Sequence, residues 1–387
     1  MSDTLTAPDT ELTEPGLAAP GGDLELADLI EWVQENKPEA SDVQFVGGGQ
    51  MWVHANGREH RTRVEIGNDD ILAWADEFAD SRGGADHLET DKSGTLEKAV
   101  DVAGVRLRMT WRRQLGGFAL NVRILPSNPP GLSSPRFANN PVPQDLVDII
   151  RNNTDGLVLF EGPTGSGKST LQAALVREVN ETQYKHIYTI EDPVEFVHES
   201  QRSLITQREV HTDVDSFLQG LITAKRSKPG IILLGELRDP VTMRTALESA
   251  GSGHLVMATS HASAAPEAVS SFIGSFPSDE QNEVSQRLSE SLRAVIVQKL
   301  IPSADGKVVP VREMITVDSV AANFIREPQS GAKLRGMLQS TALREGTFSR
   351  DADLLQLFQR GLITESTALE HAISANDMKA RLERGRR

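Results

Sequence analysis

Gly162-Pro163-Thr164-Gly165-Ser166-Gly167-Lys168-Ser169-Thr170 is the stretch that decides the fold of this chain. A glycine, four residues and then Gly-Lys-Ser is the spacing of a phosphate-binding loop. The apolar run Gly156 to Phe160 before it predicts a buried strand. Leu171, Leu175, Val176 and Val179 after it are spaced for a helix. Glycines let successive backbone N–H groups turn inward around a phosphate, and the following helix adds its positive end. Lys168 then reaches the β- and γ-phosphates, and the Ser169 hydroxyl ligates Mg²⁺. The stretch implies binding of a nucleoside triphosphate.

Outward from the loop, apolar runs at 156–161, 186–191, 231–235 and 254–259 alternate with helical patterns at 170–180, 214–224 and 240–251. Such alternation predicts an α/β core, a mainly parallel sheet covered on both faces. From about 304 a short hairpin gives way to helices at 319–326, 332–344, 351–361 and 364–374. Upstream, 126–143 is rich in proline, which fixes φ and removes a donor, so it predicts a semi-stiff linker. Before it, a helix through Leu26, Leu29, Ile30 and Val33 precedes strands at Asp42 to Phe45, Met51 to His54 and Arg58 to Val64. The Asn56-Gly57 pair predicts a hairpin between the last two. A helix over 69–79 follows, and then Ala99 to Trp111 and Phe118 to Leu125 read as a second hairpin turning at Gly116-Gly117. The expected organisation is a disordered acidic tail (1–22), an N-terminal α+β domain (23–127), a linker (128–143), a P-loop core (144–303) and a mainly helical C-terminal region (304–387).

The 387 residues carry a formal charge of −15, which argues against nucleic acid as a bulk ligand. The absence of cysteine excludes disulfides, thiolate catalysis and zinc–thiolate centres. No run approaches the roughly 18 apolar residues of a membrane span, and the start of the chain lacks the pattern of a secretory signal. A cytoplasmic protein is the expectation.

Three further places carry chemistry. Glu236 ends the strand Ile231 to Gly235, where ATPases keep the carboxylate that orients attacking water. Gly235 stands where many such enzymes place a magnesium-associated aspartate. Glu191 and Asp192, at the end of the strand after the loop–helix unit, are candidates to hold magnesium, partly through water. His261, after the strand 254–259, is a candidate to hydrogen-bond the γ-phosphate and report its loss.

The ordered segments GPTGSGKST, TIEDPVEF, QREV, LLGELRDP and GSGHLVMATSHAS closely resemble the PilT/DotB-like hexameric secretion and pilus ATPases. The resemblance runs from about Ser41 to about Ala372. It implies a RecA-like core, a PAS-like N-terminal domain and a ring of six subunits using ATP and Mg²⁺. Glu236 would be the catalytic glutamate, with Glu191 and Asp192 in the Asp box and His261 in the His box. The N-terminal domain of this family supplies arginines to the nucleotide, and the candidates here are Arg106, Arg108 and Arg123. Partners would be inner-membrane components of a secretion or pilus machine, holding the ring peripherally at the membrane. The stretch Lys225-Arg226-Ser227-Lys228-Pro229-Gly230, and the absence of arginine from Val320 to Phe324, lean toward type IV secretion or conjugative transfer. Pilus retraction is the alternative, and a nucleotide-gated scaffold with little turnover a further one. The extension-type relatives usually carry a four-cysteine module, which this chain lacks.

Overall fold

The computed structural model describes residues 25–385 apart from 56–57, 79–82, 126–127, 328 and 340–344. The expected tail, the Asn56-Gly57 turn and the end of the helix 332–344 lie outside the described residues. The chain divides into two compact units, Met1–Ser127 and Asn128–Arg387.

In the first unit, helix α1 (Leu26–Asn36) leads into strands β1 (Ala40–Val46), β2 (Gly49–Ala55) and β3 (Arg58–Ile66). Helices α2 (Asn68–Phe78) and α3 (Gly84–Thr90) follow, then β4 (Thr95–Val102), β5 (Val105–Gln114) and β6 (Gly117–Ile124). The strands form one antiparallel sheet in the order β3-β2-β1-β6-β5-β4. Alternation sends Val43, Phe45, Val53, Leu107, Met109, Trp111 and Val122 into a core shared with Leu29, Ile30 and Val33 of α1 and Trp74 of α2. Phe45 meets Trp74 edge to face, with ring centroids 5.1 Å apart. The run Ala99 to Trp111 is not one strand. It breaks at Ala103-Gly104, both in the left-handed region (φ 51° and 74°), with Val102 opposite Val105. This two-residue turn escapes the sequence reading because alanine is an unusual residue for that conformation.

The second unit begins with short α4 (Pro135–Ala138) and α5 (Gln144–Asn152) and continues through β7 (Gly156–Glu161), α6 (Lys168–Thr182), β8 (His186–Glu191) and β9 (Leu204–Glu209). Next come α7 (Phe217–Arg226), β10 (Ile231–Leu234), α8 (Pro240–Ala250), β11 (Leu255–Thr259), α9 (Ala265–Gly274) and α10 (Gln281–Ser291). The hairpin β12 (Leu292–Pro302) and β13 (Val308–Thr316) precedes α11 (Ser319–Arg326), α12 (Ser330–Gln339), α13 (Arg350–Gln359), α14 (Glu365–His371) and α15 (Ala375–Gly385). The sheet order is β13-β12-β7-β11-β10-β8-β9, parallel except for β13 at the edge. The expected division at 303/304 falls inside the β12–β13 hairpin of this sheet.

Every residue of β7, β10 and β11 is buried, because helices cover both faces of the sheet. Leu171, Leu175, Val176 and Val179 of α6 pack on one face. Helices α7 to α10 fill the other, together with Ala321, Ile325, Leu334 and Met337 from α11 and α12. A separate cluster joins Ile301, Val309 and Val311 of the hairpin to α13 and α15 through Leu354, Leu357, Met378 and Leu382. Among the described residues no helix is long and apolar enough to cross a membrane.

Candidate functional site

The chemistry-bearing segments leave the sheet at the carboxyl ends of β7, β11, β10 and β8, which stand side by side in that order. Open parallel sheets bind ligands at this edge. The strand that ends before Glu236 is therefore not the direct neighbour of the loop strand. β11 lies between them and brings His261 to the middle of the edge.

The loop's shape depends on its glycines. Gly162, Gly165 and Gly167 have φ of 134°, 76° and 83°, where side chains other than glycine are strained. A Cβ at Gly162 would fall 2.2 Å from the backbone oxygen of Gln298, and one at Gly167 3.0 Å from its side-chain nitrogen. Pro163 and Thr164 lie exposed at the turn, and Ser166 is buried. Helix α6 starts at Lys168, so the amides of Lys168, Ser169 and Thr170 belong to its first turn and need partners from outside the helix. The Lys168 ammonium donates to Gly162 O at 2.6 Å and Pro163 O at 3.1 Å. Burial lowers its pKa, while Glu161, Glu236 and Glu195 oppose that shift. A cradle of glycine backbone, a helix N-terminus and an ammonium group fits a polyphosphate.

Across the edge, Glu236 holds two partners. One carboxylate oxygen pairs with His261 Nε2 at 2.8 Å and the other accepts from Arg238 Nε at 2.7 Å. Burial alone would raise the Glu236 pKa, but the bonds and charges of Arg238 and His261 outweigh it and hold the carboxyl below its usual range. Arg238 also lies 3.8 Å from Asp192. Glu191 accepts from the Thr189 hydroxyl at 2.7 Å and Gln207 Nε2 at 3.2 Å, and burial pushes it up to about 7. Gly235 is packed closely: an added Cβ would meet Glu191 Cα at 3.3 Å and the Phe217 ring at 3.4 Å. Among the described residues no three or more His, Asp or Glu side chains converge as a metal group. A magnesium ion held by one hydroxyl, phosphate oxygens and water needs no such cluster.

Arg106, Arg108 and Arg123 lie on the face of the N-terminal sheet opposite its core. Arg108 stands directly across from Arg123 on the next strand. Each has a carboxylate partner: Asp101 at 3.0 Å, Glu97 at 3.4 Å and Asp42 at 2.9 Å, respectively.

Sequence reasoning passed over Glu161, the last residue of β7. It is 2% exposed, and its carboxyl accepts from the Ala262 amide at 2.8 Å, next to His261. Its signal was available: an acid closing a wholly apolar run. Burial pushes its pKa from 4.5 up to about 7. Unfolded, the group ionises near 4.5, so between those pH values the unfolded chain holds fewer protons and stability falls as pH rises. The loss reaches about 3 kcal/mol above pH 7. Glu161→Gln keeps an acceptor for Ala262 and removes the ionisation. Urea titration is expected to show it more stable by about 3 kcal/mol at pH 8, with less than half that gain at pH 5. Equal gains at both pH values would place the ionisation elsewhere.

Comparison with known proteins follows the same lines. Residues 92–342 match the model of the Type II/IV secretion system protein family. The type IV pilus retraction ATPase PilT of Pseudomonas aeruginosa is 40% identical over 286 residues, 74% of this chain and 79% of that protein. Other relatives are spanned less fully, one of them over 62% of its length. The crystal structure of the pilus retraction motor PilT with bound ADP superposes with a TM-score of 0.80 at 29% identity, covering 92% of this chain and 99% of that one. The ATPase DotB of Legionella pneumophila shares the fold, with a TM-score of 0.75 at 24% identity over 92% of this chain and 96% of its own.

Proposed function

The chain belongs to the Type II/IV secretion system protein family, and we propose that it is a ring-forming ATPase that turns hydrolysis into domain motion for a pilus or secretion machine. The observation that carries the reading is the sheet edge, which sets Lys168 and its loop, His261 and the His261-bonded Glu236 in a row. Loop amides and Lys168 hold the β- and γ-phosphates. Ser169, with Glu191 and Asp192 through water, would hold Mg²⁺, which supplies charge neutralisation at the phosphates. Glu236, kept ionised by Arg238 and His261, orients water and takes its proton. His261, bonded to Glu236, sits where loss of the γ-phosphate alters its contacts. Arg106, Arg108 and Arg123 exchange their carboxylate partners for nucleotide phosphates. Losing the γ-phosphate contacts is the differential interaction that lets the N-terminal unit turn about the linker.

Similarity to the pilus retraction ATPase PilT supports a pilus machine. The stretch Lys225 to Gly230 and the arginine-free Val320 to Phe324 favour a second reading, type IV secretion or conjugative transfer. Sedimentation of the full chain with and without ATP tests the ring. A nucleotide-dependent hexamer that releases phosphate is expected. A monomer at micromolar concentration with ATP present would overturn it. Deleting the gene and scoring twitching against conjugation separates the two machines.

A further inference from the structure

Behind the phosphate loop runs a buried polar chain that the reaction above does not use. Gln298, on β12, donates from Nε2 to the carbonyl of Ser166 in the loop at 2.8 Å. Its other end, Oε1, accepts from Arg312 Nε on β13 at 2.8 Å. The two residues face each other across the hairpin. Arg312 in turn donates from Nη1 to Asn140 O at 3.0 Å and Pro141 O at 2.9 Å, near the end of the linker. The Asp353 carboxylate on α13 closes the chain, accepting from the Arg312 backbone amide at 2.7 Å and from the Asn140 side chain at 2.9 Å. Gln298 is 4% exposed and Arg312 1%. Burial lowers the Arg312 pKa only to about 10, so it stays a cation at neutral pH, with Asp353 as its countercharge.

A buried guanidinium is costly to hold, and a cation placed only for packing would be better replaced by an apolar residue. What this one does is fix both ends of a rigid relay. The peptide unit is planar and trans, so its C=O and N–H point in opposite directions. Pinning Ser166 O against β12 therefore turns the Gly167 N–H away from β12. Gln298 also crowds the loop from behind, as the clashes of added Cβ atoms at Gly162 and Gly167 show.

We propose that Gln298, oriented by Arg312, is the positioning residue that presents the Gly167 amide to phosphate, and that Arg312 ties the loop to the end of the linker. Nucleotide arriving at the loop thereby stiffens the segment on which the N-terminal unit is hung. This rests on the reading of the loop as a nucleotide site.

The test uses the full chain with a fluorescent ADP analogue. Gln298→Glu keeps an oxygen for Arg312 Nε but sets a carboxylate against the Ser166 carbonyl. Its affinity for the analogue is expected to fall about tenfold, with KM for ATP rising in step and kcat changing by less than about threefold. Its melting temperature should hold, because the Arg312 contact becomes an ion pair. Arg312→Lys keeps the charge and loses the fork, and carries the same expectation should Gln298→Glu fold poorly. Hydrogen exchange over residues 136–140 is expected to slow when ADP is added to the parent, and not in Gln298→Glu. A folded variant that binds the analogue as tightly as the parent would overturn the positioning role. Exchange at 136–140 indifferent to ADP in the parent would overturn the tie to the linker. A parent that takes up no analogue would overturn the nucleotide reading itself, a result separable from either.

Discussion

Glu236→Gln is expected to leave nucleotide affinity within about twofold of the parent and to lower phosphate release at least about a hundredfold. A positioned general base contributes about 10² to 10⁴ in rate. Glutamine keeps the size of the side chain and an oxygen that can accept from Arg238 Nε, a bond of 2.7 Å in the parent. What it loses is basicity. The parent carboxyl is held below its ordinary pKa by Arg238 and His261 against the opposing effect of burial, so it is ionised throughout the neutral range. The fall should therefore appear in kcat, with KM little changed. Single-turnover phosphate release beside equilibrium binding makes the measurement. Turnover within about threefold of the parent would move the base elsewhere, with Glu191 the next group along the edge.

Lys168→Ala acts on the other side of the cleft. Removing the ammonium is expected to weaken ATP binding about a hundredfold, about 3 kcal/mol for charge-assisted bonds to phosphate in a partly buried setting. Lys168 also balances Glu161, Glu236 and Glu195, whose charges all act on it. With the cation gone those carboxylates repel an incoming triphosphate, which adds to the loss. Titration with a fluorescent analogue measures it, and an unchanged melting curve separates it from unfolding. Affinity that survived intact would sink the loop as a phosphate site. Phosphate release at equal background in parent and variant would instead favour the scaffold with little turnover.

The core was legible where burial is simplest. β7, β10 and β11 lie inside the parallel sheet and read as short apolar runs, β8 (HIYTIE) shows only a partly apolar one, and the loop between β7 and α6 carries its own spacing. β12 was not legible, because Leu292 follows directly from the last residue of α10 with no turn residue to mark the change. β9 was missed for the opposite reason: LITQRE is a half-exposed edge strand without an apolar run. The Glu236–His261 contact joins residues 25 apart and exists only because β10 pairs with β11. Spacing alone cannot announce it. The pairing of Arg123 with Asp42, 81 residues upstream, is hidden in the same way, since it needs β1 beside β6.

Strand order has one more effect. The loop grows from β7 and Glu236 follows β10, two steps along the ladder with β11 as the rung between them. Each step in a sheet is about 4.8 Å, so the two sides of the cleft begin about 10 Å apart. Backbone hydrogen bonds set that gauge, and no side-chain replacement can widen or narrow it. The cleft's ruler is its own main chain.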